Sequence, residues 1–238
     1  MLYQKGGLEM ALVNSSVTDI TADTLLSQSK TKIKGNDDKL LANDVAVEAR
    51  LVTAEGKVGV IEGGAFIGTA RWNDVVLGGT ALVGGASAPD LETFQTGIKL
   101  YTFDGASTAE EVNGIFEMPH DYKEGTDIRP HIHWAPINAN AGNVKWQMEY
   151  TIAANTVAFP ANATISSTAA ASGALKHHAN EFNVISGTGR KIGDIIVFRL
   201  FRDPTDAADT YGSDAFLLSI GIHYQIDSTG SVNVFTKT

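Results

Sequence analysis

Two segments of the chain alternate strictly between apolar and polar residues, and this alternation limits the folds open to it. Apolar residues occupy every second position from Val144 to Ile152 and from Leu218 to Ile226. Because successive side chains of a β-strand point to opposite faces of a sheet, each segment is predicted to be a strand with one buried face. Residues 195–201 are apolar on both faces except for Arg199, as expected for a central strand.

The remaining sequence also favours strands over helices. No long stretch repeats apolar residues with helical spacing. The charged fraction is 19% and 24 of 238 residues are glycine, against about 25% charged residues and about 7% glycine in an average domain. The predicted fold is all-β, an antiparallel β-sandwich or jelly roll, with residues 153–175 as a long loop or an irregular hairpin. Further strand candidates are 97–103, 112–118, 127–135, 181–186 and 231–236.

The first sixty residues differ from the rest of the chain. They are rich in Ser, Thr, Asp, Asn and Lys and contain neither Trp nor Phe. A segment of this composition buries too little apolar surface to fold alone. We therefore predict an extended N-terminal arm over residues 1–60 that orders on a neighbouring chain, with a loose tail or a helix as the alternative. Residues 61–238 are predicted to form the jelly-roll domain.

Composition also narrows the possible functions. The absence of cysteine excludes a disulfide framework, a thiolate zinc site and a cysteine nucleophile. The net charge of −9 argues against charge-driven binding of nucleic acid. We expect no membrane segment, since no signal-peptide pattern is visible and no apolar run approaches the length of about 18 residues that a membrane helix needs.

His131 and His133 are the sharpest candidates for chemistry. Two residues apart on a strand, they point to the same face, where two imidazoles can share one metal ion. Gly125 followed by His131-x-His133 resembles the opening of the motif of the cupins, which are metal-binding jelly rolls. That motif next expects a glutamate, which this sequence lacks at positions 137 and 138. His223, on the polar side of a later strand, is a further weak candidate ligand.

The alternative interpretation is a polar sheet face that carries hydrogen-bonded histidines, either exposed to solvent or at a contact between subunits. We favour this interpretation and expect no cofactor and no catalytic residue. Isologous or cyclic interfaces are common for β-sandwich structural proteins. The candidate interface residues are Arg129, His131, His133, Glu149 and His223.

Four aspartates recur in one predicted loop, at positions 203, 206, 209 and 214. Carboxylates at such spacing could hold calcium, but the loop lacks the glycine and the terminal glutamate of an EF-hand. Aspartate side chains also initiate turns by accepting hydrogen bonds from nearby backbone amides. We therefore interpret these residues as turn-formers.

Residues 71–238 resemble a family of virion proteins from tailed bacteriophages and prophages. The most specific part of the resemblance is the run from Pro119 to Ile128 together with the segment Pro130–Trp134 that follows. The weaker parts are Arg71–Asp74, Val144–Trp146, Glu149-Tyr150, Phe201–Asp203, Tyr211–Ala215 and His223–Asp227.

This resemblance implies a non-enzymatic structural part of a phage particle: a capsid decoration, a head fibre or a tail component located in the virion. In that setting we expect the arm to contact capsid or tail proteins and the sandwich to form a homotrimer. Two other functions stay open. One is a cupin-like metalloprotein; the other is a carbohydrate-binding module for host attachment, with Trp72 or an exposed tyrosine as the stacking platform.

Overall fold

The computed structural model describes most of the chain beyond the predicted arm. The chain divides into two units, Met1–Glu55 and Gly56–Thr238. Because the predicted arm lies almost entirely outside the described residues, it stays a prediction. Among the described residues, no helix is long and apolar enough to cross a membrane. The described residues are the helical positions 30–31, 34–36 and 38–39, the strand positions 59–60 and 66–67, and the continuous range 70–237.

Strands dominate the described part of the second unit, with one short 3-10 helix at Gly79–Ala81. In chain order the strands are β1 (Gly59–Val60), β2 (Phe66–Ile67), β3 (Arg71–Gly78), β4 (Val83–Gly84), β5 (Asp90–Gln95), β6 (Ile98–Phe103), β7 (Glu110–Glu117), β8 (Arg129–Pro136), β9 (Asn143–Ala153), β10 (Ala163–Ala170), β11 (His178–Glu181), β12 (Ile195–Arg202) and β13 (Ala215–Ile226).

Two antiparallel sheets form a sandwich. The first sheet has the order β10-β9-β12-β7-β4, and the second has the order β11-β8-β13-β6-β5, with β3 pairing to the second half of β13. Strands β1 and β2 form a separate two-stranded pair. This architecture confirms the predicted fold class, an antiparallel β-sandwich of the jelly-roll kind.

Six of the predicted strands are confirmed, as β6, β7, β8, β9, β12 and β13. Strand β12 lies at the centre of the first sheet, as its apolar sequence predicts. Of the two alternatives for residues 153–175, the hairpin is confirmed, because β10 pairs with β9 in a register that places Ile165 opposite Met148.

Other sequence expectations were wrong. Residues 231–236 form bends rather than a strand. Val232 is 90% exposed, so it does not pack against either sheet. The candidate 181–186 is mostly outside a strand, because β11 ends at Glu181. Strands β3 and β5 were not predicted: β3 runs into the glycine pair Gly78-Gly79, which favours a turn, and β5 shows no regular apolar alternation.

Aromatic pairs that contact each other across the two sheets stabilise the core. Trp146 of the first sheet contacts Phe103 of the second edge to face, with ring centroids 5.0 Å apart. It also lies 6.4 Å from Trp134 of the second sheet. All three rings are fully buried, and aromatic pairs at such distances add to the stabilisation from burial itself.

A buried arginine at the end of β12 adds an ion pair and hydrogen bonds to the core. The Arg202 side chain is fully buried, and its Nε and Nη2 donate to the two carboxylate oxygens of Asp209 at 2.8 and 2.9 Å. Its remaining N–H groups donate to the backbone carbonyls of Phe103, Ser213 and Tyr211. All five donors of the guanidinium are therefore satisfied inside the core.

The segment 119–128, which carries much of the phage resemblance, is folded into the body of the sandwich. Tyr122 is fully buried and its hydroxyl donates to the carbonyl of Thr126. The Lys123 amide donates to the Gln225 carbonyl at 2.7 Å. Buried Ile128 exchanges backbone hydrogen bonds with Ile185. This segment is thus part of the framework rather than a free loop.

Candidate functional site

The outer surface of the second sheet gathers the three candidate histidines, His131, His133 and His223, together with Arg129. On β3, β8 and β13, alternate residues point away from the core. We call this surface the histidine face. The residues that define it are Trp72, Asp74, Arg129, His131, His133, His177, Glu181 and His223. Part of it forms an open groove of about 360 Å³, lined by Asp74, His131, His133, Ala179, Asn180, Glu181 and His223.

Strand register brings three of these side chains together. Asp74 lies directly opposite His223 in the β3–β13 pair, and His131 lies opposite Gly221 in the β8–β13 pair. The Nε2 atoms of His131 and His223 each lie 3.6 Å from Oδ2 of Asp74. The two imidazole rings are 4.4 Å apart between centroids. Three adjacent strands thus converge on one point of the face.

Gly221 makes this arrangement possible. A Cβ atom at position 221 would lie 2.5 Å from Cε1 of His131 and 3.0 Å from Oδ1 of Asp74. The missing side chain therefore leaves the space through which the His131 ring reaches across β13. As a result His131 is only 5% exposed although it belongs to an outer face.

Both histidines of β8 have a lowered pKa, which favours the neutral form. Burial lowers the pKa of His131; His223 and His133 lower it further, and Asp74 opposes the shift. Burial also lowers the pKa of His133, and His177 adds to that effect. A neutral imidazole keeps one nitrogen lone pair, which can accept a hydrogen bond or bind a metal ion.

Of the three candidate ligands, His131 and His223 share a cluster of possible ligand atoms with Asp74, and His133 lies outside that cluster. Instead, Nδ1 of His133 lies 2.7 Å from Nε2 of His177, within hydrogen-bonding distance. The imidazole of His223, the third candidate ligand, lies beside His131. Asp74 completes this cluster, and sequence analysis missed it because β3 was not predicted as a strand.

The candidate interface residues divide between the two outer faces of the sandwich. Arg129, His131, His133 and His223 belong to the histidine face. Arg129 lies 5.6 Å from the centre of the Trp72 ring and 3.4 Å from Glu181. Glu149 lies on the outer face of the first sheet instead, where it accepts a hydrogen bond from Nε of Arg199 at 3.0 Å.

The aspartates of the loop after β12 have structural partners. Asp203 and Asp206 each accept a hydrogen bond from the backbone amide two residues later, which confirms their interpretation as turn-formers. Asp209 is paired with Arg202. Asp214 accepts a hydrogen bond from the amide of Gly105. The interpretation as turn-formers was therefore wrong for Asp209 and Asp214, whose carboxylates bond to residues outside their own turns.

The tryptophans separate into two groups. Trp134 and Trp146 are fully buried, as strand alternation predicts, whereas Trp72 is 45% exposed. The Trp72 ring is the exposed aromatic platform of the histidine face, and the Arg129 guanidinium lies over it.

Substitution Gly221→Ala is expected to destabilise the protein by about 1–3 kcal/mol, the usual cost of overpacking a closed site. The new methyl group would displace the His131 ring and crowd Asp74. Gly78→Ala is the matched control, because a Cβ at position 78 meets no atom within 4 Å. Urea unfolding of both variants measures the difference. Equal stability of the two variants would show that Gly221 is not needed for close packing.

The sequence matches no known protein-family profile and no curated protein. Among solved structures, the chain is similar to the CBM36-1 domain of a multidomain xylanase from the hindgut metagenome of Trinervitermes trinervoides, with 11% identity, a TM-score of 0.34, and coverage of 63% of this chain and 96% of that one. It is also similar to CBM35 from Cellvibrio japonicus Abf62, with 12% identity, a TM-score of 0.37 and coverage of 66% and 99%. At these identities and scores, the similarity bears on neither ligand nor function.

Proposed function

We propose that this protein is a non-enzymatic structural component of a tailed-phage particle: a capsid decoration, a head fibre or a tail protein. In this proposal residues 1–60 anchor the chain to capsid or tail proteins, and the sandwich assembles as a homotrimer. The proposal rests on one observation: the fold buries much of the sequence segments that resemble phage virion proteins.

Those segments supply the buried framework of the sandwich. Many of their large side chains are fully buried or nearly so: Tyr122, Ile128, Trp134, Trp146, Arg202 and Tyr211. Trp72 of the same segments is 45% exposed. Residues shared by an enzyme family would be expected to converge on a cleft, because catalysis needs groups that reach the substrate. Many of the large side chains in these segments build the core, which supports a stable, rigid building block as their common property. Asp74, His131, His133 and His223 of the same segments line the groove of the histidine face.

The two outer faces of the sandwich support assembly into a ring. In a cyclic oligomer larger than a dimer, each chain uses two different patches, and one patch meets the other on the next chain. The histidine face offers one such patch. The outer face of the first sheet offers another, on which Arg199 contacts both Glu111 and Glu149 and on which Ile115 and Val197 are exposed.

Assembly and attachment can be measured on the full chain. We expect light scattering to give a mass three times the 25.2 kDa of one chain. We also expect the protein to sediment with tailed particles purified from the bacterium that carries its coding sequence, and gold-labelled antibodies to mark one location on those particles. A variant lacking residues 1–55, checked for folding by circular dichroism, should not attach. A stable monomer with no affinity for particles would overturn the proposal.

A further inference from the structure

The cluster of Asp74, His131 and His223 has the dimensions of a metal site. One ligating atom from each side chain lies within 4.8 Å of the other two, and both carboxylate–imidazole separations are 3.6 Å. A zinc ion bonded at about 2.0–2.2 Å to three ligands separates neighbouring ligand atoms by roughly 3–3.6 Å. Small rotations of these side chains are therefore enough to place all three around one ion.

His131 gives a second, independent indication. Its side chain is 94% buried, and neither ring nitrogen has a hydrogen-bond partner among the described residues. Buried polar atoms are nearly always bonded, because leaving them unpaired costs free energy. The Nε2 atom of this ring faces the Asp74 carboxylate and the His223 ring. The ring is thus aimed at the centre of the cluster with an unused ligating atom.

We propose that Asp74, His131 and His223 bind one divalent ion of a first-row transition metal. Two imidazole nitrogens and one carboxylate oxygen suit zinc, iron, manganese, cobalt or nickel, whereas magnesium and calcium prefer ligand sets made of oxygen alone. Because a metal-bound imidazole is a neutral ligand, the carboxylate is the one negatively charged ligand and offsets part of the charge of the ion. The ion keeps open coordination positions on the side of the groove.

The surroundings of His131 fit a ligand role. The absence of a side chain at Gly221 gives the ring the space to reach Asp74.

A bound metal ion would link strand β3 to its neighbours in the second sheet. Among the described strands, β3 pairs only with β13, whereas β13 also pairs with β8. The proposed ligands come one from each of these three strands. The ion would therefore bridge the edge strand, its neighbour and the next strand, and it would stabilise the outer edge of the histidine face. This role does not depend on the virion function proposed above.

The test uses the full-length protein, stripped of metal with a chelator and titrated with Zn²⁺ by calorimetry. We expect one equivalent of Zn²⁺ to bind and to raise the thermal unfolding midpoint. Asp74→Asn and His223→Ala should each weaken binding by at least about 100-fold, because loss of an outer-sphere partner alone weakens metal binding by 10–100-fold. Both positions are partly exposed, so these variants are expected to fold.

His177→Ala is the matched control, a histidine of the same face outside the cluster, and it should bind Zn²⁺ like the parent protein. A second measurement uses Co²⁺, whose visible absorption reports ligation directly: the parent and His177→Ala should show the bands of bound Co²⁺, and Asp74→Asn should not. The proposal is overturned if neither Zn²⁺ nor Co²⁺ binds stoichiometrically, or if both cluster variants bind the metal as tightly as the parent protein.

Discussion

Substitution Asp209→Asn is expected to destabilise the protein by about 3–5 kcal/mol, because it leaves the buried charge of Arg202 without a counter-ion. The two side chains are 1% and 0% exposed, so water cannot replace the lost carboxylate. Arg202 also joins the two sheets through its bond to the Phe103 carbonyl. Urea unfolding followed by circular dichroism measures the loss.

Glu181→Gln provides the control for this prediction. Glu181 also pairs with an arginine, Arg129, but the side chains of that pair are 58% and 44% exposed. Pairs exposed to solvent contribute less than about 1 kcal/mol. If Asp209→Asn lowers the free energy of unfolding no more than Glu181→Gln does, the buried Arg202–Asp209 pair does not stabilise the core as we describe.

Substitution Trp134→Ala is expected to cost about 3–5 kcal/mol, the usual range for removing a large aromatic side chain from a core. Trp134 is fully buried and donates from Nε1 to Oδ1 of Asn180 at 2.7 Å. Its ring stacks on His178 at 4.5 Å and packs near Trp146. The truncation thus opens a cavity where the two sheets meet and leaves the amide of Asn180 with one partner fewer.

Trp72→Ala is the matched control, since Trp72 has 45% of its surface exposed. Trp72→Ala should lower the free energy of unfolding by only about 1 kcal/mol, mostly through loss of the contact between the ring and the Arg129 guanidinium. Thermal and urea unfolding of the two variants can be compared directly. A cost for Trp72→Ala equal to that of Trp134→Ala would contradict the assignment of the core.

How far the sequence predicts this fold depends on how regular each strand is. Strand β9 was predictable because its alternation is unbroken, and the structure buries Val144, Trp146 and Met148 as expected. Strand β13 was predictable in place but not in detail. Its pairing with β8 shifts register between Leu217 and Ser219, so Leu217 joins the core although the alternating pattern assigns the apolar face to Leu218.

The candidate site was only partly predictable for a related reason. Alternation on β8 places His131 and His133 on one outer face, which is correct. The cluster itself depends on which strands are neighbours, and neither the β3–β13 register nor the role of Gly221 can be read from local sequence. Asp74 therefore escaped notice, because strand β3 lies in a glycine-rich region whose pattern favours turns.

The central claim is that this sandwich is a structural part of a tailed-phage particle. An electron cryo-microscopy reconstruction of particles from the bacterium that carries the coding sequence tests it most directly. We predict three copies of the sandwich of residues 70–237 around a symmetry axis, with residues 1–60 in contact with capsid or tail proteins. Particles whose complete reconstruction and protein content contain no copy of this chain would contradict the claim.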